Sequence, residues 1–485
     1  MTSKLLYLVL FFSIYMNAQT TIVEEKFEKD NVPLSYQYLP KTNKLIIEKG
    51  KYKSMSTHRM ITNINKLDIN GKKEVLAENG EWMNCVFSAT ENTFKIEDYS
   101  KFSYAQTFKY VVNGKETPTF KYSEQSSAHR GFFGPKYFSD KYEIGLIIST
   151  NKSSSVNKKK GYPFELKDIF KSNTKIIDVE KPDFSRFTGD AFVKPYEDRL
   201  AIKASIIDNE KIEIISKSIS KDYKTSVLYR KNYNFEGETL NEPSFTVNLK
   251  DYFLIYSNNG GGKLGSKQTY QSSNLYGASL EFAIFADNHF INNFCEDLTN
   301  GDVYIYGLFG KKANEVNVGN SPLGYYVFKF DKTGKKIWES INIINDVKGF
   351  NEKNILVHVF SDLKIYNNKL YFSTGTDSSN EYIHYSFLDK NTGAILSKNK
   401  ISFKENKVTD LKYFLYSGCE YEGYKKKMFD HDGLVALDSN IKFKEYLKSL
   451  NNKNSLYFKT IFSHEGIWLI ETDNEDYYKV TFFKD

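Results

Sequence analysis

Residues 253–266 read FLIYSNNGGGKLGS, an apolar run that breaks into glycines, with Gly260, Gly262 and Gly265 at the spacing G-x-G-x-x-G. That spacing lets a backbone turn approach a pyrophosphate closely. It works when a strand precedes the glycines, a helix follows, and an acid lies about twenty residues further on. Residues 251–257 supply a strand, LEFAIFAD (280–287) a second, and Asp287 the acid. The helix does not follow: SKQTYQSSNLYGAS (266–279) has no apolar stripe at a 3.6-residue period and carries Gly277. The glycines therefore read as backbone freedom in a loop between strands.

SSAHRGFFGPKYF (126–138) sets His129 and Arg130 beside Phe132 and Phe133, a composition suited to an anionic or aromatic ligand. With Lys263 in the glycine stretch, His129 and Arg130 are the candidate ligand-binding residues. DHDG (430–433) offers two carboxylates and a histidine, but a calcium loop needs a longer ladder of oxygens ending in Glu. It reads as a polar turn before a strand, LVALD. No H-E-x-x-H or G-x-S-x-G occurs, and no acid pair for glycoside cleavage can be picked out among 60 Asp and Glu. Cys85, Cys295 and Cys419 are isolated, so at most one disulfide forms and no C-x-x-C redox or zinc motif exists. No catalytic residue, cofactor or metal ligand is assigned.

The elements that must carry these residues are strands. The chain is rich in Tyr (36) and Phe (38) and poor in Pro (9), and its apolar residues alternate in short runs bounded by Asn, Asp, Gly and Lys. That pattern is all-β. The formal charge of +7 is mild for 485 residues, and the longest basic run is Lys158–Lys160. Nucleic-acid binders cluster their charge more strongly, so that class of partner is not expected.

The N-terminus MTSKLLYLVLFFSIYMNAQT places Lys4 before an apolar stretch of about eleven residues and ends in small residues, the pattern of a secretory leader cut after Ala18. The stretch is too short for a membrane-spanning helix, and no later one is apolar enough. The expectation is a leader over 1–18 and one exported domain over 19–485. Its destination would be periplasmic, outer-membrane-associated or extracellular.

Repeats organise that domain. NGDVYIYG (300–307) is followed by YYVFKFDKTGKKIWES (325–340), a strand, an Asp-x-x-Gly turn and a strand that reaches Trp338. NNKLYFST (367–374) leads likewise to HYSFLDKNTGAILSK (384–398), NKLIIEKG (43–50) to TNINKLDINGKKEVL (62–76), and EDRLAIKA (197–204) to SVLYRKNYNFEGETL (226–240). Weaker starts fall near 94, 144, 253, 415 and 467. The mean step is about 50 residues, the length of a four-stranded propeller blade.

The unit around 299–340 resembles repeats of bacterial β-propeller families, whose blades pair a G-N-V-Y-V-T-G strand with a K-L-D-x-x-G-x-x-x-W hairpin. FLDKNTGAIL (387–396) is similar to the L-D-x-x-T-G of quinone-type propeller repeats. The resemblance implies a seven- or eight-bladed fold and no function. The adjacent cysteine pair of quinone dehydrogenases is missing, so no quinone is expected. Nine strand starts with one shared blade give eight blades, seven being the alternative. The expected closure is by the strand near 43–48 joined to the strands near 464–483. The expected function is a monomeric binding or scaffold protein for a protein or glycan ligand. The alternative is a secreted polysaccharide hydrolase or lyase with carboxylates in the propeller funnel.

Overall fold

The computed structural model describes the chain from Gln19 to Lys484, apart from residues 29–30, 53–58, 79–82, 89, 101–103, 122–136, 147–161, 172, 180–199, 256–257, 260–279, 282–292, 312–321, 345–358, 377–380, 407–417, 422–423, 451–454 and 474–475. Its described residues are strands joined by tight turns, with two short helices near the C-terminal end.

The strand topology is that of a seven-bladed β-propeller, built from antiparallel meanders in chain order. The first sheet holds Val32–Leu39, Lys44–Tyr52, Arg59–Leu67 and Lys73–Ala77. The second is built on Met83–Phe87, Thr93–Ser100 and Tyr104–Val112, and the third on Tyr142–Leu146, Tyr162–Asp168 and Thr174–Val179. The fourth is built on Leu200–Ile207, Lys211–Ile219 and Thr225–Tyr233, and the fifth on Val303–Gly310, Gly324–Phe330 and Lys336–Ile343. The sixth holds Val359–Tyr366, Lys369–Thr376, Glu381–Asp389 and Ile395–Asn406. The seventh holds Leu456–Ser463, Gly466–Thr472 and Tyr477–Lys484, and its fourth strand is Gln19–Lys26 from the other end of the chain.

The count is seven and not eight because two of the nine repeat starts do not found a sheet of their own. The strand near 253, Phe253–Ile255, pairs antiparallel with Val303–Gly310 and so belongs to the fifth sheet. The start near 415 lies outside the described residues. The chain beyond it forms two three-residue strands and the helices His431–Ser439 and Ile441–Ser449. Closure by N- and C-terminal strands holds, but the closing strand is Gln19–Lys26, registered from Gln19 opposite Phe483 to Lys26 opposite Tyr477. The strand around 43–48 sits inside the first sheet instead.

Contacts divide the chain into two compact units. One comprises 82–259 with 273–361, and in it neighbouring sheets pack face to face. Ile144, Phe164 and Ile177 of the third sheet meet Ile206, Ile212 and Tyr233 of the fourth. Ile215, Phe245 and Val247 of the fourth meet Ile305, Tyr326 and Phe328 of the fifth. The other unit comprises residues up to 81, 260–272 and 362–485. There Tyr36, Tyr38, Leu45 and Ile47 of the first sheet pack on Ile461, Trp468, Ile470 and Val480 of the seventh. The strands Val303–Gly310, Gly324–Phe330 and Gly466–Thr472 are buried along their whole length, so their apolar residues pack on both faces.

The recurring Asp and Gly of the repeats have one local job. In the fifth sheet, Asp331 accepts from the backbone N–H of Thr333 (2.9 Å) and Lys335 (3.1 Å), and Gly334 turns the chain at φ +91°. Asp68 does the same for Asn70 and Lys72 ahead of Gly71, and Asn234 for Glu236 and Glu238 around Gly237. Asp389 accepts from Asn391 and Thr392. Each turn joins the third and fourth strands of its sheet, so the motif marks a fixed place in the blade.

Candidate functional site

Within the unit that holds both chain ends, five charged side chains and two tyrosines converge at the start of the helix His431–Ser439. Asp430 is the helix N-cap and accepts from the N–H of Gly433 at 2.8 Å. The same carboxylate accepts from the backbone N–H of Thr460 at 3.2 Å and pairs with the Lys459 ammonium at 2.8 Å. Two residues on, Asp432 pairs with Lys364 at 2.5 Å and accepts from the Tyr371 hydroxyl at 3.3 Å. Lys364 also reaches Asp362 at 2.9 Å. The charged side chains keep only 12–17% of their surface.

The sequence places these groups simply. Asp362 and Lys364 are two apart on the first strand of the sixth sheet, so they share a face. Lys459 lies on the first strand of the seventh sheet, and Tyr36 on the first strand of the first. The two aspartates sit at the helix N-terminus, where backbone N–H groups have no intrahelical partner and negative charge is favoured.

Electrostatics follow from burial. Burial raises the Asp430 carboxyl above the usual range, the Asp432 charge adds to that, and Lys459 opposes it. Burial works against charging Lys364, yet the carboxylates of Asp362 and Asp432 outweigh it and hold the ammonium above its usual range. Burial pushes Tyr36 up to about 12, and it drives Tyr371 upward as well. His431 packs 5.4 Å from the Phe403 ring, and burial lowers it to about 4, so its imidazole is neutral at neutral pH. The cluster is thus an ionic lattice that binds the helix to three sheets, with three carboxylates against two ammonium groups.

A second buried set lies in the other unit. Arg230 makes a two-pronged contact with Glu213 (2.8 and 3.1 Å) and reaches Glu296 at 3.1 Å, which ties the fourth sheet to the fifth. On the same strand as Glu213, burial lowers Lys217 to about 7.

The ligand candidates chosen from sequence lie elsewhere. His129 and Arg130 fall in 122–136, between the strands Phe120–Lys121 and Tyr137–Phe138, and Lys263 falls in 260–279; both segments lie outside the described residues. The described flanks of the glycine stretch do not build a nucleotide fold. Phe253–Ile255 and Leu280–Glu281 join different sheets by antiparallel pairing, and Asn258–Asn259 pairs in parallel with Phe360–Ser361 of a third, whereas a dinucleotide site needs the strands on either side of its glycine turn and helix to be parallel neighbours in one sheet. DHDG, read as a turn before a strand, instead caps a helix. An Asp before an acid-containing first turn is a helix-start signal, but the short run LVALD fits a strand equally well by periodicity. Lys364, Asp362, Lys459 and Tyr36 had no signal at all, since chain-distant residues meet only in the fold. Among the described residues no three of His, Cys, Asp and Glu converge as metal ligands. No helix among them is long and apolar enough to cross a membrane.

Fold and site together define a β-propeller with a buried cluster whose carboxylates and ammonium groups pair with one another. No family model matches the chain, and no curated protein matches it. Among solved structures it is similar to the β-propeller domain of Nup133 from Vanderwaltozyma polyspora, at 10% identity and TM-score 0.32, over 94% of this chain and 100% of that one. It is also similar to the WD40 domain of SCAP from fission yeast, at 9% identity and TM-score 0.28, over 96% and 98%. At these scores the likeness carries no argument about function.

Proposed function

We propose that this chain is an exported β-propeller binding protein that presents inter-strand segments to a protein or glycan partner. The observation that carries the reading is the leader pattern of MTSKLLYLVLFFSIYMNA ahead of a propeller domain. Removal of a leader over 1–18 would leave 19–485 as one exported domain. The segments 122–136 and 260–279, with His129, Arg130 and Lys263, are the proposed contacts, since long insertions between framework strands are where binding residues concentrate.

The charged cluster supports binding over catalysis. Asp430 is occupied by a helix cap, a backbone N–H and Lys459, and Asp432 by Lys364 and Tyr371. A general acid must be within reach of a substrate oxygen. The second reading, polysaccharide cleavage, draws on the raised Asp430 beside Asp432.

Capture of partners from a native cell envelope by the purified exported chain tests the first reading. Replacement of His129, Arg130 and Lys263 by Ala should reduce capture at least tenfold. Unchanged capture would reject those residues, and a chain retained inside the cell would reject export. Turnover of any member of a glycan panel, abolished by Asp432→Asn, would establish the second reading instead.

A further inference from the structure

The residue that opens the closing strand is a glutamine, and this permits a covalent change at the mature chain end. We propose that, once the leader is removed, Gln19 cyclises to pyroglutamate and seals the strand that completes the seventh sheet. This rests on the export reading above. The α-amine of Gln19 attacks the Cδ of its own side chain, the N–Cδ bond forms, and the C–N bond of the carboxamide breaks. Ammonia leaves carrying the proton given up by the amine. No oxidant, reductant or second substrate is required.

Three observations favour it. Gln19 is exposed, so its carboxamide is not tied up in the core. It lies in an outer strand, paired opposite Phe483, and becomes that strand's first residue once the leader is removed. A five-membered ring that restrains φ is tolerated at the first residue of a strand, as proline is there. Unlike proline, the lactam keeps an N–H, so the backbone donor at residue 19 survives. The consequence is a closing strand without a charged amine for an aminopeptidase to grip. Pairing along Gln19–Lys26 then keeps the rest of the strand from fraying, and Glu25 bonds to Lys49, Lys73 and Tyr478 near its far end.

The test uses the full chain with its own leader, exported by a bacterial host and purified folded. Primary amines are labelled before digestion. Cleavage after Glu24, which labelled lysines do not block, then yields the peptide QTTIVE from a chain starting at Gln19. The expected result is that peptide without label at its N-terminus and lighter by one ammonia, about 17 Da. The Gln19→Ser chain should carry the N-terminal label at full mass. A wild-type peptide starting at Gln19 with a labelled amine would overturn cyclisation while leaving export intact. A peptide that spans Ala18 and Gln19 would overturn the export reading, and this inference with it.

Discussion

Replacement of Asp430 by Ala removes the acceptor of the Thr460 N–H and two larger supports. The first is the helix cap, an acceptor 2.8 Å from the Gly433 N–H, whose loss costs about 1 kcal/mol. The second is the partner of Lys459, an ammonium whose side chain is only 15% exposed. Removing one member of a buried pair costs about 3–5 kcal/mol, because the surviving charge stays desolvated. Together they predict a loss of about 4–6 kcal/mol for Asp430→Ala. Asparagine keeps an acceptor for Gly433 and loses only the charge, so Asp430→Asn should cost about 1 kcal/mol less. The double variant Asp430→Asn with Lys459→Met removes the stranded ammonium and should recover at least half of the loss. Urea unfolding followed by tryptophan fluorescence is well placed to read this, since buried Trp468 lies opposite Ile461, two residues from Lys459. A loss of no more than about 1 kcal/mol for Asp430→Ala would refute the reasoning, for the cap alone accounts for that much.

Other consequences can be read in single experiments. Gly334→Ala puts a Cβ against the Ser244 carbonyl at φ +91°, and should lower stability by more than 1 kcal/mol, about the cost of strained positive φ, in thermal unfolding. For Glu25, burial pushes the carboxyl up, but Lys49, Lys73 and Tyr478 together hold it below the usual range. Its folded value lies below its unfolded one, so its contribution is complete above about pH 4.3 and is lost as pH falls further. Protection factors of the amides along Gln19–Lys26, with the intrinsic pH dependence of exchange divided out, should therefore fall in acid, and Glu25→Gln should remove that change. Lys217, lowered to about 7 by burial, takes up its proton more readily unfolded than folded. Stability should then rise between about pH 7 and 10, and Lys217→Met should flatten the rise. His431, lowered to about 4, should make stability rise between about pH 4 and 6.5, a slope that His431→Phe removes.

Much of the blade was legible because its signals are local. The Asp-x-x-Gly turns at Asp68 and Asp331, and the Asp-x-x-x-Gly turn at Asp389, require only a side-chain oxygen two residues before a backbone N–H, and a glycine free to take positive φ. Around Asp331, Phe328 and Phe330 enter the core, and Lys329 between them pairs with Asp302 at 2.9 Å. The number of sheets was not legible. Residues 253–255 look like the start of a blade, yet their pairing with 308–310 depends on a partner more than fifty residues away.

By itself, then, the amino-acid sequence determined the strand content, the turns and the spacing of the repeats, because period-two alternation and turn chemistry act over a few residues. Tertiary structure alone decided that Gln19–Lys26 completes the last sheet and that residues 431–449 fold as helices. It also brought Asp362, Lys364, Asp430, Asp432 and Lys459 together. The physical reason is the same in each case. An unpaired sheet edge, an ambiguous apolar run and a buried charge each find their partner among residues distant in the chain, and burial makes that partner necessary.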